Sequence, residues 1–343
     1  MSEAMPRRVL VLGATSYVAQ FVLQRLVRDE AVIVACSVRS VPDPLPAGFV
    51  LAGARNEGDH LADGSDVTVF PGVDLAEVAS LEACISAFRP DLVINCIALS
   101  SPAACEKSPT LASTINEDFV YRGDQTSGSA YVEEAAALDD DAPRSVYATT
   151  KLRFDTYLQS HPLPGGCTVL RIANVLGPRA PVFRGAESPK FMEWLHLQLF
   201  APSTQDQSPV KLWSDEYRSF IYVEDLAAIV NALQADLQLE PITRLINVGG
   251  LEALTRVEVA QQYVVACAAE RERAGASPAT CREIEPTARA QVKLGHHSPL
   301  DARLNTSRLE KLLPSVHRTP TVSFLETIAR ELLVDDSKPA EQS

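Results

Sequence analysis

The stretch Arg8-Val-Leu-Val-Leu-Gly13 constrains this chain more than any other. An unbroken apolar run that stops at a glycine reads as a strand buried on both faces, the kind found in parallel sheets covered by helices. Val18, Phe21, Val22 and Leu26 then recur at helical spacing, so the order is strand, glycine turn, helix. Within the turn, Gly13-Ala14-Thr15-Ser16-Tyr17-Val18-Ala19 follows the template G-x-x-G-x-x-G/A. Gly13 permits the tight turn, and Ala19 allows the helix to pack closely. The helix N-terminus then offers unpaired N–H groups and the positive end of its dipole to a phosphate. Ser16 stands where the template has its second glycine. Serine is small enough for the turn but crowds a phosphate more than glycine would.

The pattern repeats downstream. Residues 31–38 read as a second buried strand, 67–70 as a third and 91–95 as a fourth, with a helix over 75–88 ended by Pro90. Further strands are predicted at 168–172 and 245–248, with a helix over 223–233 between them. This rhythm predicts an α/β fold, a Rossmann-type doubly wound parallel sheet with a smaller C-terminal substrate-binding subdomain. The expected division is 1–177 with 219–249 for the dinucleotide-binding domain and 178–218 with 250–330 for the subdomain. Residues 331–343 are expected to be a disordered tail, and the Pro-, Gly- and Ala-rich segment 42–66 a surface insertion.

Composition matters for what it excludes. A net charge of −13 argues against a nucleic-acid surface. No run approaches the roughly 18 apolar residues of a membrane span, and the N-terminus lacks the apolar core of a secretory signal. Seven widely spaced cysteines without a C-x-x-C pair fit a reducing compartment, and a cytoplasmic location is expected. None of the six histidines falls in a catalytic or metal-binding pattern, and no metal site is expected.

The second strand ends in Ser37-Val38-Arg39, where an NAD-binding chain carries an acidic residue for the ribose hydroxyls. Arginine there suits the 2′-phosphate of NADP instead, although a solvated surface arginine would look the same in sequence. A second motif, Tyr147-Ala148-Thr149-Thr150-Lys151, puts a phenol and an ammonium on one helical face. A neighbouring cation lowers a tyrosine pKa, which would make Tyr147 a general acid toward a carbonyl that accepts hydride from a nicotinamide. The same lysine can hold the nicotinamide ribose.

With these motifs in order, the chain resembles the extended short-chain dehydrogenase/reductases, and within them the dTDP-4-dehydrorhamnose reductase-like branch. That branch also includes the regulatory beta subunit of methionine adenosyltransferase. The resemblance spans about residues 8–315. It is carried by GATSYVA (13–19), Asp74-Leu75, PDLVINCIALSSPAACEKSP (90–109), FVYRG (119–123) and VYATTK (146–151). LRIANVLGP (170–178), RSFIYVEDLA (218–227), NVGG (247–250) and LNTSRLEKLL (304–313) complete it.

The resemblance implies a cofactor site made of Gly13, Thr15, Ser16, Tyr17, Val18, Arg39, Asp74, Leu75, Cys96, Ile97, Ala98, Tyr147 and Lys151. Asp74 and Leu75 would lie by the adenine, and Cys96, Ile97 and Ala98 near the ribose. Tyr147, Lys151 and Asp118 would be catalytic. Asn174 and Arg218 would face substrate, although a loop amide and a salt bridge from Arg218 to Asp215 or Glu216 explain those two equally well. Two roles follow from the branch. One is an NADP-dependent reductase acting on a keto group, as in a nucleotide sugar. The other is an NADP-binding regulatory partner of the methionine adenosyltransferase catalytic subunit.

One departure limits both. Family members run from the helix matching 109–116 through a further helical stretch into a strand ending Ser/Thr-Thr-Asp. Here Asn116 is followed by Glu117 and then by Asp118, the aspartate of that motif. About two dozen residues, by the resemblance, are missing, and a skipped exon is the simplest cause. The hydroxyl donor that would orient a substrate carbonyl is missing with them, as is a central strand of the sheet. A chain with this junction is expected to be poorly soluble, or to bind NADPH without useful turnover. Cofactor choice gives a direct test: Arg39→Glu should weaken NADPH binding about tenfold to a hundredfold, the scale of a charge-assisted contact, and leave NADH binding nearly unchanged. Equal losses for both cofactors in a fluorescence titration would remove Arg39 from the 2′-phosphate.

Overall fold

A computed structural model of the full chain describes residues 5–53, 66–118, 145–161, 163–183, 190–200, 208–235, 243–295 and 298–336. Its centre is a parallel sheet. Strand β1 (Arg7–Leu12) lies between β2 (Val32–Val38) and β5 (Leu92–Asn95), and β4 (Val67–Pro71) and β3 (Phe49–Leu51) extend the β2 side, in the order β3-β4-β2-β1-β5. Val9, Leu10, Val11 and Leu12 are each at most 2% exposed, so β1 is covered on both faces, as its unalternating apolar run requires. Helix α1 (Tyr17–Leu26) and helix α2 (Val78–Phe88) make the crossovers. They bury separate clusters: Phe21, Val22, Leu23 and Leu26 with Val9 and Val11, and Leu81, Cys84 and Phe88 with Leu10 and Leu12.

The predicted strands and helices of this unit all form, with ends displaced by one to three residues. Two expectations need correction. The segment 42–66 is not wholly an insertion, because Phe49–Leu51 pairs in parallel with β4. Its three residues are too short to show a period against a Pro- and Gly-rich background. Residues 54–65 lie outside those described.

Beyond β5 come two short helices, α3 (Pro102–Lys107) and α4 (Pro109–Ser113), and then a π-helical turn over Thr114–Asp118. Asn116 therefore sits in a helical stretch that starts at Pro109, as expected. Helix α5 (Val146–Ser160) leads to β6 (Cys167–Ile172). Strand β6 pairs with β11 (Thr243–Val248), and β7 (Val175–Leu176) with β10 (Ile221–Tyr222), both in parallel. Among the described residues no strand joins β5 to β6.

The later segments form α6 (Phe191–Phe200), β8 (Val210–Trp213), β9 (Tyr217–Arg218), α7 (Val223–Ala235) and α8 (Arg256–Arg273). They are followed by β12 (Ile284–Thr287), β13 (Asp301–Ala302), α9 (Ser307–Leu312) and α10 (Thr321–Asp336). Strand β8 pairs with β12 and β9 with β13. Met192, Leu195, Val259 and Tyr263 join the same buried cluster as Val9 and Val11, so this part shares a core with the sheet.

The expected tail from 331 is also corrected. Helix α10 runs through Asp336, and Leu332 is only 1% exposed. Phe324, Leu325, Ile328, Ala329 and Leu332 form its buried face at helical spacing. The charged residues that follow hide this period in sequence. Residues 337–343 lie outside those described. Leu332→Ala should cost about 2–5 kcal/mol in urea unfolding, the cost of a core Leu truncation. A loss of less than half the lower bound would return this segment to a tail.

Candidate active site

The C-terminal ends of β1, β2, β4 and β5 meet at one edge of the sheet. Chain order reverses between β1 and β5, and such a switch point opens the crevice where open α/β sheets take their ligands. Gly13 holds φ at +75°, and a Cβ added there would stand 2.6 Å from Ile97 Cγ1. Only glycine satisfies both the backbone and the contact. The Gly13 N–H donates to Ser37 Oγ at 3.2 Å and the Ala14 N–H to Ser37 O at 2.8 Å, which ties the loop to the end of β2. Arg39 projects just beyond, exposed. The Val73 N–H donates to Val38 O at 3.3 Å, so Asp74 and Leu75 lie at the neighbouring strand end. One Asp74 oxygen accepts from the Ala76 N–H at 2.9 Å, and Leu75 is buried.

Helix α1 starts at Ser16, whose side chain makes no cap. The first turn of a helix carries N–H groups that no carbonyl of the same helix reaches. A glycine turn fixed by Ile97, an uncapped helix end and an arginine at the next strand end together fit a dinucleotide's phosphates. Thr15 O accepts from Gln20 Nε2 at 3.2 Å, and Gln20 Oε1 accepts from the Val182 and Phe183 N–H groups at 3.0 and 2.6 Å. Gln20, fully buried, was not singled out from sequence; its signal was a polar residue beside the apolar stripe of α1. Tyr17 has a similar task. Its hydroxyl donates to Pro178 O at 2.7 Å, and a Cβ on Gly177 would stand 2.5 Å from that oxygen. The Tyr17 side chain is thus scaffold, and any contact it makes with a phosphate is through its backbone.

The loop after β5 carries the connection to α5. The Ile97 N–H donates to Asn95 Oδ1 at 2.9 Å, and the half-buried Cys96 and Ala98 flank it. Leu99 is then gripped by Asn116, whose Oδ1 accepts from the Leu99 N–H at 3.0 Å and whose Nδ2 donates to Leu99 O at 3.1 Å. The same Nδ2 reaches Thr150 Oγ1 on α5 at 3.3 Å, and that hydroxyl donates to Tyr147 O at 3.0 Å. Gly13, Ile97, Leu99, Asn116, Thr150 and Tyr147 therefore form one chain of contacts. It ties helix α5, at Thr150, to the loop after β5 whose Ile97 abuts Gly13.

The electrostatics depart from the expectation. Burial pushes the Tyr147 phenol up to about 12, with Cys105 and Asp155 adding to the rise. Burial pushes the Lys151 ammonium down to about 8, against the pull of Asp155 and Cys105. The expected lowering of Tyr147 by Lys151 does not occur: burial, the first cause for both groups, raises the phenol and lowers the ammonium. Tyr147 is a protonated donor at neutral pH.

The remaining candidates divide. Asn174 follows β6, is exposed and accepts from the Ile221 N–H through its carbonyl at 3.0 Å. Arg218 is 9% exposed and turned into the protein. Its guanidinium pairs with Glu216 Oε1 at 2.9 Å and donates to Tyr217 O at 2.8 Å and Pro299 O at 2.8 Å. A substrate reaching Arg218 would have to displace those partners. Asp118 ends the π-helical turn, and its side chain lies outside those described. The FVYRG segment and His296–His297 also fall outside. Among the described residues no helix is long and apolar enough to cross a membrane.

Two family models match the sequence. One, described as the RmlD substrate binding domain, covers residues 7–123, and the other, the NAD dependent epimerase/dehydratase family, covers 120–249. They meet just after the Asn116–Asp118 junction. No curated protein matches. Among solved structures, the chain is similar to UDP-glucose 4-epimerase of Thermus thermophilus in complex with NAD, at 21% identity and TM-score 0.61 over 95% of this chain and 99% of that one. A dTDP-4-dehydrorhamnose reductase of Bacillus anthracis in complex with NADP is similar at 14% identity and TM-score 0.61, over 95% and 99%. The UDP-N-acetylglucosamine 4-epimerase of Methanobrevibacter ruminantium, with UDP-N-acetylmuramic acid, reaches TM-score 0.64 at 16% identity over 97% and 100%. At these identities the likeness is one of fold.

The shifted lysine gives a prediction. Lys151 loses its proton near pH 8 when folded and near the ordinary 10.5 when unfolded. The folded state thus holds fewer protons across that window, and the group's penalty on stability is full below pH 8 and fades toward 10.5. Lys151→Met should raise the ligand-free melting temperature at pH 7, with the gain shrinking as pH climbs through the window. A gain that is absent at pH 7, or that grows with pH, would contradict the buried ammonium.

Proposed function

The chain belongs to the extended short-chain dehydrogenase/reductase family, RmlD-like, and from that premise we propose that it is an NADP-dependent reductase acting on a keto group of a nucleotide sugar. The observation that carries this reading is the contact chain from Gly13 through Ile97 and Leu99 to Tyr147. It ties the glycine turn to helix α5, the helix that carries Tyr147 and Lys151. The dinucleotide, when bound, supplies hydride. Gly13, Thr15, Ser16 and the first-turn N–H groups of α1 hold its pyrophosphate, and the Arg39 guanidinium holds the 2′-phosphate in preference to an NAD ribose. Asp74 and Leu75 border the adenine, and Cys96, Ile97 and Ala98 the ribose.

Tyr147, protonated at neutral pH, donates its phenolic proton to the carbonyl oxygen as that oxygen becomes an alcohol. Lys151, still mostly charged at pH 7 with its pKa near 8, holds the nicotinamide ribose and supports the phenolate left behind. The sugar nucleotide lies toward Asn174, between the sheet edge and the subdomain of residues 178–218 and 250–330. The missing Ser/Thr before Asp118 removes one hydrogen bond to the carbonyl, so turnover by this chain is slow beside a family member that keeps it.

NADPH oxidation in the presence of a dTDP-4-keto sugar tests the reading. Tyr147→Phe should abolish most of that turnover while NADPH still binds. Turnover that survives the substitution would reject the proton-donor role, and a wild-type chain that binds NADPH but oxidises none with any keto sugar would reject the reductase reading.

A further inference from the structure

Helix α5 presents Tyr147 from its first turn, so whatever holds that turn sets the position of the phenol. Four N–H groups at a helix start lack intrahelical acceptors. In α5 the outermost acceptors can be traced. The Thr149 N–H reaches Ser145 O at 3.0 Å, and the Ala148 N–H reaches Ser145 Oγ at 3.1 Å. The Val146 N–H is met from elsewhere in the chain: Glu106 Oε1, on α3, accepts it at 2.8 Å.

Glu106 is itself fixed relative to the cofactor edge. Ser101 caps α3 by accepting from the Ala104 N–H at 3.2 Å, and Cys105 Sγ donates to Leu99 O at 3.3 Å. Leu99 continues the loop whose Ile97 abuts Gly13. A carboxylate at this end of α5 also complements the helix dipole. We infer that Glu106 is a positioning residue for Tyr147: it locks the backbone one residue before the phenol and transmits the place of the phosphate loop to the proton donor. The inference rests on the reductase reading for its kinetic consequence and on the Val146 hydrogen bond for its physical content. Asn116 grips α5 a turn further along, at Thr150, and leaves the first turn to Glu106. No strand of the described sheet stands between β5 and β6 to do this work instead.

Two variants of the full chain separate positioning from general damage. Glu106→Gln keeps an oxygen acceptor for Val146, and Glu106→Ala removes it. In the alanine variant kcat for NADPH oxidation with a dTDP-4-keto sugar should fall roughly tenfold or more, the scale of one hydrogen bond to a charged group. Its NADPH Kd and sugar KM should stay within about twofold of wild type, and the Val146 amide should exchange faster with deuterium. The glutamine variant should recover most of the kcat and the protected amide. An unchanged kcat in the alanine variant, an NADPH Kd that rises in step with the kcat loss, or a glutamine variant no better than alanine would each overturn the inference. If the wild-type chain turns over no keto sugar, the reductase reading fails and the exchange measurement decides alone. Faster Val146 exchange in alanine but not in glutamine upholds the lock, and equal exchange in all three chains overturns it.

Discussion

The contact between Gly13 and Ile97 is the constraint from which the rest of the site follows. Strands β1 and β5 neighbour each other in the sheet, and the loops that follow them touch at their roots. At +75° and with Ile97 Cγ1 where a Cβ would go, position 13 accepts no side chain. The close root sets the start of α1 directly after the Gly13 turn. It also fixes where Leu99 emerges, and Leu99 is the anchor for α3, Asn116 and, through them, α5. Gly13 and α5 are separated by more than 130 residues of sequence, yet only a handful of contacts lie between them.

The second constraint is one of connectivity. A parallel crossover needs a dozen residues or more, and only Glu117 separates Asn116 from Asp118. Among the described residues, no strand is hydrogen-bonded between β5 and β6. Among the described residues, side chains on other elements reach the start of α5: Glu106 on Val146, and Asn116 on Thr150. Such contacts are individually worth about 0.5–3 kcal/mol, far less than a strand buried on both sides. Helix α5 is therefore open to single substitutions at Glu106 and Asn116. The phosphate loop lies on strands that precede the junction.

Much of this was legible in the sequence, and the reasons are specific. Strand β1 and its loop were readable because burial on both faces leaves an unbroken apolar run, and because the glycine turn uses residue types with little alternative. The junction at Asn116 was readable because a familiar motif arrives too soon. Other features lie in contacts that no local pattern encodes. The Glu106–Val146 bond spans forty residues, and a half-buried glutamate on a six-residue helix carries no mark of it. Tyr17 sits inside the phosphate motif, yet its ring and hydroxyl serve Pro178. Arg218 is engaged by Glu216, the more structural of its two sequence readings. The titration of Tyr147 was misjudged because the spacing showed the lysine and not the burial that both groups share.

The account stands on the crevice between β1 and β5 being the dinucleotide site, and calorimetric titration of NADPH into the wild-type chain and Gly13→Ala tests this most directly. The account predicts saturable one-to-one binding to wild type, and binding lost in Gly13→Ala although its circular dichroism is unchanged, because the added methyl opens the turn against Ile97. Equal NADPH affinity in both chains would contradict it.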